Sequence, residues 1–394
     1  MLRTLTCFTS LLILNAINTS SFALETDEIF VTGLRPASLD DTPASITVLD
    51  ADALSIRNTP YIADQLRAVP GIGVSRSGPQ GGLTQVRVRG AEANHTLVLM
   101  DGIEISDPVT GETDFGLWSS LNIARLEILR GEQSTIYGSD AIGGVINIVS
   151  DIEPGARFAA EAGSNNTLRA TGRHYLETGT LGLSLSGSSF QTDGVDTSGT
   201  GGAKDGSKSD TAMLNGRLTL GENWIAKGLI RVSQDEVDTD ADTDFNGALE
   251  DTNTQTISNQ MTSGITISGN TGSFDHQINT AYTRVERKNE TSAIRDDKTT
   301  GKRTTLSYSP SWQVQKSQHS LTVSALLDFE REEYERKSSN TFFGDPNQQQ
   351  TFDTLGTAVE IVAQARNWTF QASARHDDND GRFDNASTWR ASLA

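Results

Sequence analysis

The chain has 394 residues, enough for two domains and a large core. Acidic residues outnumber basic ones by 51 to 32, a net charge of −19, which is the wrong sign for a nucleic-acid binder and suits cation binding or a hydrated surface. Mean hydropathy is −0.38 and, past the N-terminus, no apolar run approaches the ~18 residues of a membrane-crossing helix; this excludes a helical membrane protein but not a β-barrel, whose strands alternate lipid-facing and lumen-facing side chains.

Residues 1–23 read as a secretory signal: Arg3 supplies the positive start, LTCFTSLLILNAI the apolar stretch, and Ser21-Phe22-Ala23 the small residues of a cleavage site. Cys7 lies inside it, so a mature chain has no thiol for a disulfide or a metal. His95, His174, His276, His319 and His376 are too scattered for a sequence-local zinc site. With no G-x-S-x-G and no clustered histidine, no catalytic constellation is present and an enzyme is not expected.

Next comes the short β-prone segment Asp27-Glu28-Ile29-Phe30-Val31-Thr32-Gly33, followed by mixed patterns. Ser45–Leu49 alternates as a strand, Asp50 opens a helix, and Ile62–Val69 is an amphipathic turn or two stopped by Pro70-Gly71. Gln85–Arg89 alternates again, and His95–Met100 is closed by the tight turn Asp101-Gly102. From Ile123 to Val149 the chain reads strand, turn, polar segment, Gly-rich turn, strand: Arg125–Leu129 alternates, Tyr137-Gly138 and Gly143-Gly144 can each take positive φ, and Val145–Val149 is β-branched. GSDAIGG is not a phosphate loop, because no Lys-Ser/Thr follows.

From Ala156 the texture changes to about twelve alternating segments separated by polar turns. Tyr175, Trp224, Tyr282, Trp312, Trp368 and Trp389 fall near segment ends, as an interfacial girdle requires, whereas Tyr308 sits mid-segment. Alternation alone also fits a soluble β-sandwich or β-helix.

The run Arg130-Gly131, Tyr137-Gly138, Ala141, Gly143-Gly144-Val145-Ile146-Asn147-Ile148 resembles the end of the plug domain in TonB-dependent outer-membrane receptors, with Glu132 departing from the usual Pro. Val88-Arg89-Gly90 and Val98-Leu99-Met100-Asp101-Gly102 match further motifs of that family. The resemblance implies an α+β plug followed by an antiparallel transmembrane β-barrel: signal 1–23, TonB box and plug 24–152, and barrel 153–394, about 12 of the 22 strands with which plugged transporters close. The chain thus reads as an N-terminal fragment, with Arg89 expected to pair the plug with the barrel. It implies no enzyme but TonB-driven transport across the Gram-negative outer membrane, with outer-membrane lipid around the barrel. Asp27–Gly33 would be the TonB box, adding a strand to TonB, which acts with ExbB and ExbD.

One polar feature stands apart: Asp235-Glu236-Val237-Asp238-Thr239-Asp240-Ala241-Asp242-Thr243-Asp244, with Glu250-Asp251 beyond, and no Lys or Arg from Val232 to Thr283. Such carboxylates repel one another, so either the loop stays solvated or a hard divalent cation, calcium before zinc or copper, gathers it. The passage SGPQGGLTQVRVRGAEANHTLVLMDG is most similar to the cobalamin branch of the family, which implies calcium-ordered loops. The matching acids are Asp196, Asp205, Asp240 and Asp251, with Asp242 and Asp244 as alternates. In that branch plug loops touch substrate, and the matching positions are Leu83, Gln85, Glu92, Val109 and Thr110. Glu92 stands where the family has Asn and lacks its N–H donors. A corrinoid is the leading cargo and a ferric siderophore the alternative. From outside the class, a phage or colicin attachment surface or a non-functional truncated product would also fit.

Overall fold

The computed structural model describes residues 28–29, 34, 37–38, 45–57, 59–120, 122–291, 294–317, 319–339, 344–381 and 383–394. The signal and most of the expected TonB box (Asp27, Phe30, Val31, Thr32 and Gly33) lie outside these. Within the box, β1 (Glu28–Ile29) pairs antiparallel with β2 (Ala37–Ser38).

The plug begins at β3 (Ser45–Leu49) and α1 (Ala51–Arg57), whose start is fixed by the Asp50 carboxylate accepting from the Ala53 N–H at 2.8 Å. After α2 (Ile62–Arg67) come the hairpin β4 (Ile72–Arg76) and β5 (Thr84–Val88), then β6 (Thr96–Met100), β7 (Ile103–Glu104), β8 (Ile123–Arg130), the short α3 (Ser134–Tyr137) and β9 (Gly144–Ser150). The plug sheet runs β3-β8-β9-β6-β7, parallel only between β6 and β9. One face packs Leu126, Ile128, Ile146 and Ile148 against α1 and α2 through Leu54, Ile62 and Leu66; the other packs Leu129, Val145 and Ala141 with Tyr137. Burial on both faces explains why Val145–Val149 reads as a continuous apolar run. Both expected turns take positive φ, +82° at Gly138 and +157° at Gly144. Arg130 clasps the plug by donating to the Ser45 and Thr47 hydroxyls and the Pro70 carbonyl.

The second unit is a meander in which each strand pairs antiparallel with the next: β10 (Gly155–Gly163), β11 (Thr167–Thr178), β12 (Leu181–Val195), β13 (Asp205–Leu220), β14 (Trp224–Ala241), β15 (Glu250–Thr271), β16 (Phe274–Thr291), β17 (Ile294–Lys316), β18 (His319–Ser338), β19 (Gln348–Ala365), β20 (Trp368–Asn379) and β21 (Ala386–Leu393). Among the described residues these twelve strands form one curved, unclosed wall around the plug. Alternation sets its faces. Arg173, Asn215, Arg231, Thr283, Arg303 and Arg375 point inward and are buried, while Leu214, Ile230, Ile265, Leu306, Leu327 and Val359 point outward and are exposed.

Several strands run well past the expected length, to 23 residues in β17, because they continue as polar hairpins beyond the apolar belt. This corrects one expectation. Asp235 to Ala241, read as part of a loop, belongs to β14; only residues 242–249 connect the strands there. Asp235 turns in to the wall's inner face while Glu236 and Asp238 alternate to the outer one, so the acid run does not break the ladder.

Candidate functional site

Turns of two or three residues join the strands at one end of the wall, and longer connections such as 196–204, 242–249 and 339–347 at the other. Toward the long-loop end, between plug and wall, lies a cavity of about 330 Å3. Asp107, Glu112, Asp114 and Trp118 line it from the plug, and Arg231, Asp235, Arg287 and Asn289 from the wall. The Arg231 guanidinium lies 4.0 Å over the Trp118 ring, and Arg287 stands 3.5 Å from Asp107, so both cations are already engaged. Burial pushes the Asp114 carboxyl up to about 6, although the Thr84 and Gly116 N–H groups, each at 2.9 Å, pull the other way. Burial likewise raises Asp107, against Arg287 and the Val109 N–H. The lining is mixed, with a surplus of carboxylates beside Leu83, Ile105, Leu117, Val237 and Val285; it can hold a ligand through hydrogen bonds, aliphatic contacts and one aromatic face.

Just below the cavity the plug segment from Ile103 to Thr110 lies along the wall. Three successive plug carbonyls are each taken by a different strand: Glu104 by the Thr283 hydroxyl at 3.0 Å, Ile105 by the Gln260 amide at 2.9 Å, and Ser106 by Arg303 at 3.2 Å. Two glycines cut notches for its side chains. A Cβ on Gly264 would stand 2.5 Å from Ile103 Cδ1, and one on Gly301 would stand 2.7 Å from Val109 Cγ2. Arg303 is the hub, 2.6 Å from the Glu104 carboxylate, 2.7 Å from Glu332 and 3.5 Å from Glu330. At the plug's far end Asp151 pairs with buried Arg173 at 3.2 Å, and Asp101 accepts from Ser150 and from Asn215 of the wall. Burial, the larger effect, holds the Asp101 carboxyl above its ordinary range.

Of the five residues expected to touch substrate, the structure places Leu83 in the cavity lining. Gln85 is on β5 and donates to Glu112 at 2.6 Å, one step behind the lining. Glu92 is exposed ahead of the 93–95 turn, Thr110 is exposed at the tip of its loop, and Val109 is seated in the Gly301 notch. Arg89 does not pair plug with wall: it is exposed at a turn, with φ of +53°, and makes no ion pair among the described residues. The wall's own arginines make those bonds. No sequence signal named them, because a buried arginine and a solvated one look alike along a strand.

The expected metal ligands divide into two groups. Asp196, Asp205, Asp240 and Asp251 converge on the 196–204 loop. The Thr197 hydroxyl donates to both Asp205 (2.5 Å) and Asp240 (3.1 Å), and Asp251 accepts from Ala203 N. Asp196 accepts from the Ser198 hydroxyl and the Gly199, Gly201 and Gly202 N–H groups, and these bonds hold its carboxyl below its ordinary range. Asp242 and Asp244 instead fold a separate turn around Asn246 and Gly247. The donors suit a hard cation, but as placed they are satisfied by N–H and O–H groups. Among the described residues no three metal-ligating side chains stand close enough to share an ion.

Comparison with known proteins bears on all of this. Residues 38–145 match the family model of the TonB-dependent receptor plug domain. The vitamin B12 transporter BtuB of Photobacterium profundum is 28% identical over 362 residues, covering 89% of this chain and 56% of that protein. In fold, the chain matches BauA, the ferric preacinetobactin receptor, and the siderophore receptor PirA, both from Acinetobacter baumannii. Each gives a TM-score of 0.70, at 13% and 18% identity, covering 93% of this chain and 63% and 60% of theirs. Residues 38–145 thus match a TonB-dependent receptor plug domain, and the chain as a whole is similar to such receptors. It spans a little over half the length of the curated relative it matches. As in those proteins' fold, a mixed plug is followed by an antiparallel wall, and the cavity lies where plug apex and wall meet.

Proposed function

We propose that this chain is the N-terminal part of a receptor that imports a corrinoid across the Gram-negative outer membrane. The observation that carries the reading is the similarity to a vitamin B12 transporter over 89% of the chain, plug and wall together. The cavity supports it. Its carboxylates (Asp107, Glu112, Asp114 and Asp235) outnumber its guanidiniums, which disfavours an anionic iron chelate and suits a neutral, amide-rich ligand. The rival reading, a siderophore receptor, draws on structural neighbours whose likeness is of fold alone.

In this scheme ligand binds at Leu83, Asp114 and Trp118. The wall clasps the Ile103–Thr110 segment while TonB, powered through ExbB and ExbD, takes the Asp27–Gly33 strand and draws on the plug. The Leu34 N–H bonds Glu360 of the wall at 3.1 Å, so that pull would begin at a wall contact. Calcium, if bound, would order the Asp196–Asp251 loops over the cavity.

The test is binding of cyanocobalamin and of a ferric catecholate to the complete receptor in neutral detergent, with calcium and with chelator. Submicromolar corrinoid binding that chelator weakens is expected. Phe30→Pro should leave it intact and abolish uptake, because Pro removes an N–H needed for strand addition. Tight catecholate binding without corrinoid binding would replace this reading with the siderophore one.

A further inference from the structure

Asparagine followed by glycine occurs twice in the chain, at Asn215-Gly216 and at Asn246-Gly247. Glycine leaves the peptide nitrogen after an asparagine unshielded, so such a pair is labile wherever that nitrogen can reach the side-chain amide carbon. The fold treats the two pairs oppositely. Asn215 is buried in β13 and paired with a strand on either side, and its amide donates to Asp101 of the plug at 2.8 Å. The ladder fixes its backbone and Asp101 fixes its amide, so neither can turn to close a ring. Asn246 is exposed, in the connection 242–249 between β14 and β15.

The neighbours of Asn246 engage each atom that a ring closure would use. Its Oδ1 accepts from the Ala248 N–H at 2.8 Å, the turn by which an asparagine holds its own backbone two residues on, and this lays the amide alongside the Gly247 peptide. The Ala248 N–H thus stands where negative charge develops as Cγ is attacked. The Gly247 N–H donates to Asp242 Oδ2 at 2.8 Å, so a carboxylate already holds the proton that the attacking nitrogen has to lose. The nitrogen that leaves, Nδ2, donates to Asp244 Oδ2 at 2.9 Å. Nothing crowds the attack: a Cβ on Gly247, where φ is +88°, would meet no atom within 4 Å.

From this arrangement we propose that Asn246 is a self-modification site, converted through a cyclic imide to a mixture of aspartate and isoaspartate. The Gly247 nitrogen attacks Asn246 Cγ. The N–Cγ bond forms, the Cγ–Nδ2 bond breaks, and the Gly247 proton passes through Asp242 to the departing nitrogen, which leaves as ammonia. Water then opens the imide, at Cγ to give aspartate or at the main-chain carbonyl to give isoaspartate. Either product sets a third carboxylate beside Asp242 and Asp244, and isoaspartate also lengthens the backbone there by one carbon. The conversion goes beyond the transport reading and is independent of the cargo.

The test is peptide mapping by mass spectrometry of the complete receptor, incubated in neutral detergent in water enriched in heavy oxygen, with a synthetic peptide of residues 240–252 alongside. Asn246 should take up heavy oxygen, appear as both aspartate and isoaspartate, and convert in the receptor at least as fast as in the peptide. Asn215 should convert orders of magnitude more slowly, because its amide is held out of reach. Asp242→Ser should slow conversion in the receptor about tenfold by removing the base and leave the peptide's rate unchanged. Gly247→Ala should slow both. Each variant should keep the heat-resistant migration of the folded wall, since the connection lies outside the ladder. Slower conversion in the receptor than in the peptide would overturn the proposal, because the turn would then protect the amide. So would an unchanged rate in the Asp242→Ser receptor, or aspartate as the sole product, which would mean direct hydrolysis without a ring.

Discussion

The plug and the wall use the same period-two alternation to opposite ends. In the plug, Leu126, Ile128, Ile146 and Ile148 turn inward to a dry core and the sheet is covered on both faces. In the wall the apolar set turns outward and the polar set, with Arg173, Arg231, Arg303 and Arg375, turns in to face the plug. The interface between the two units is therefore mainly polar, joined by hydrogen bonds and ion pairs, with small apolar contacts such as Met213 and Leu229 against the plug core. A polar interface costs little to re-hydrate compared with an apolar one.

Breaking the contrast at its centre should have the largest effect. Arg303→Ala would leave the half-buried Glu104, Glu330 and Glu332 around no cation, and breaking pairs to a buried arginine in this way costs about 3 kcal/mol, the low end for a buried pair. Plug residues 103–110 should then exchange amide hydrogens orders of magnitude faster while the wall strands keep their protection. Loss of protection across the wall as well would show that the two units are one cooperative body. A milder change is Gly301→Val, which fills the notch that receives Val109 and should cost about 1–3 kcal/mol by overpacking. It should raise protease cleavage near Pro108 without altering the heat-resistant migration of the folded wall. Unchanged cleavage would mean that the segment seats elsewhere.

The smallest expected effect comes from Asp114. Its folded pKa is raised, to about 6, so its contribution favours the folded protein fully below the ordinary aspartate range and is lost as pH rises through 6. Asp114→Asn keeps the oxygen that accepts from Thr84 and Gly116 and removes the charge, so it should stabilise the plug at pH 7.5 by on the order of 1–2 kcal/mol and not at pH 4. The same change should flatten any pH dependence of ligand binding between pH 5 and 7. Identical melting shifts at both pH values would place Asp114 in water rather than in the cavity wall.

Much of this architecture follows from the sequence alone, because a strand's side chains alternate whatever surrounds it and glycines mark where the chain turns. The twelve wall segments, the plug strands β3, β5, β6, β8 and β9 and the Gly138 and Gly144 turns were legible for that reason. Tertiary structure decided what each alternating set faces. Leu306 and Ile128 are both apolar strand residues, yet one is exposed on the outer wall and the other is a core residue, and nothing local separates them. Pairing was equally hidden: Arg89 sits in a family motif and stays exposed, while Arg303, in no motif, gathers the plug because β17 brings it opposite Glu104. The acid run hid its strand for a related reason. Composition reports solvation, and an outward-facing edge beyond the belt is as solvated as a loop. Gly264 and Gly301, taken along their strands, look like weak points. Folding packs Ile103 and Val109 of the plug against them, and only that packing shows which missing Cβ makes room for something.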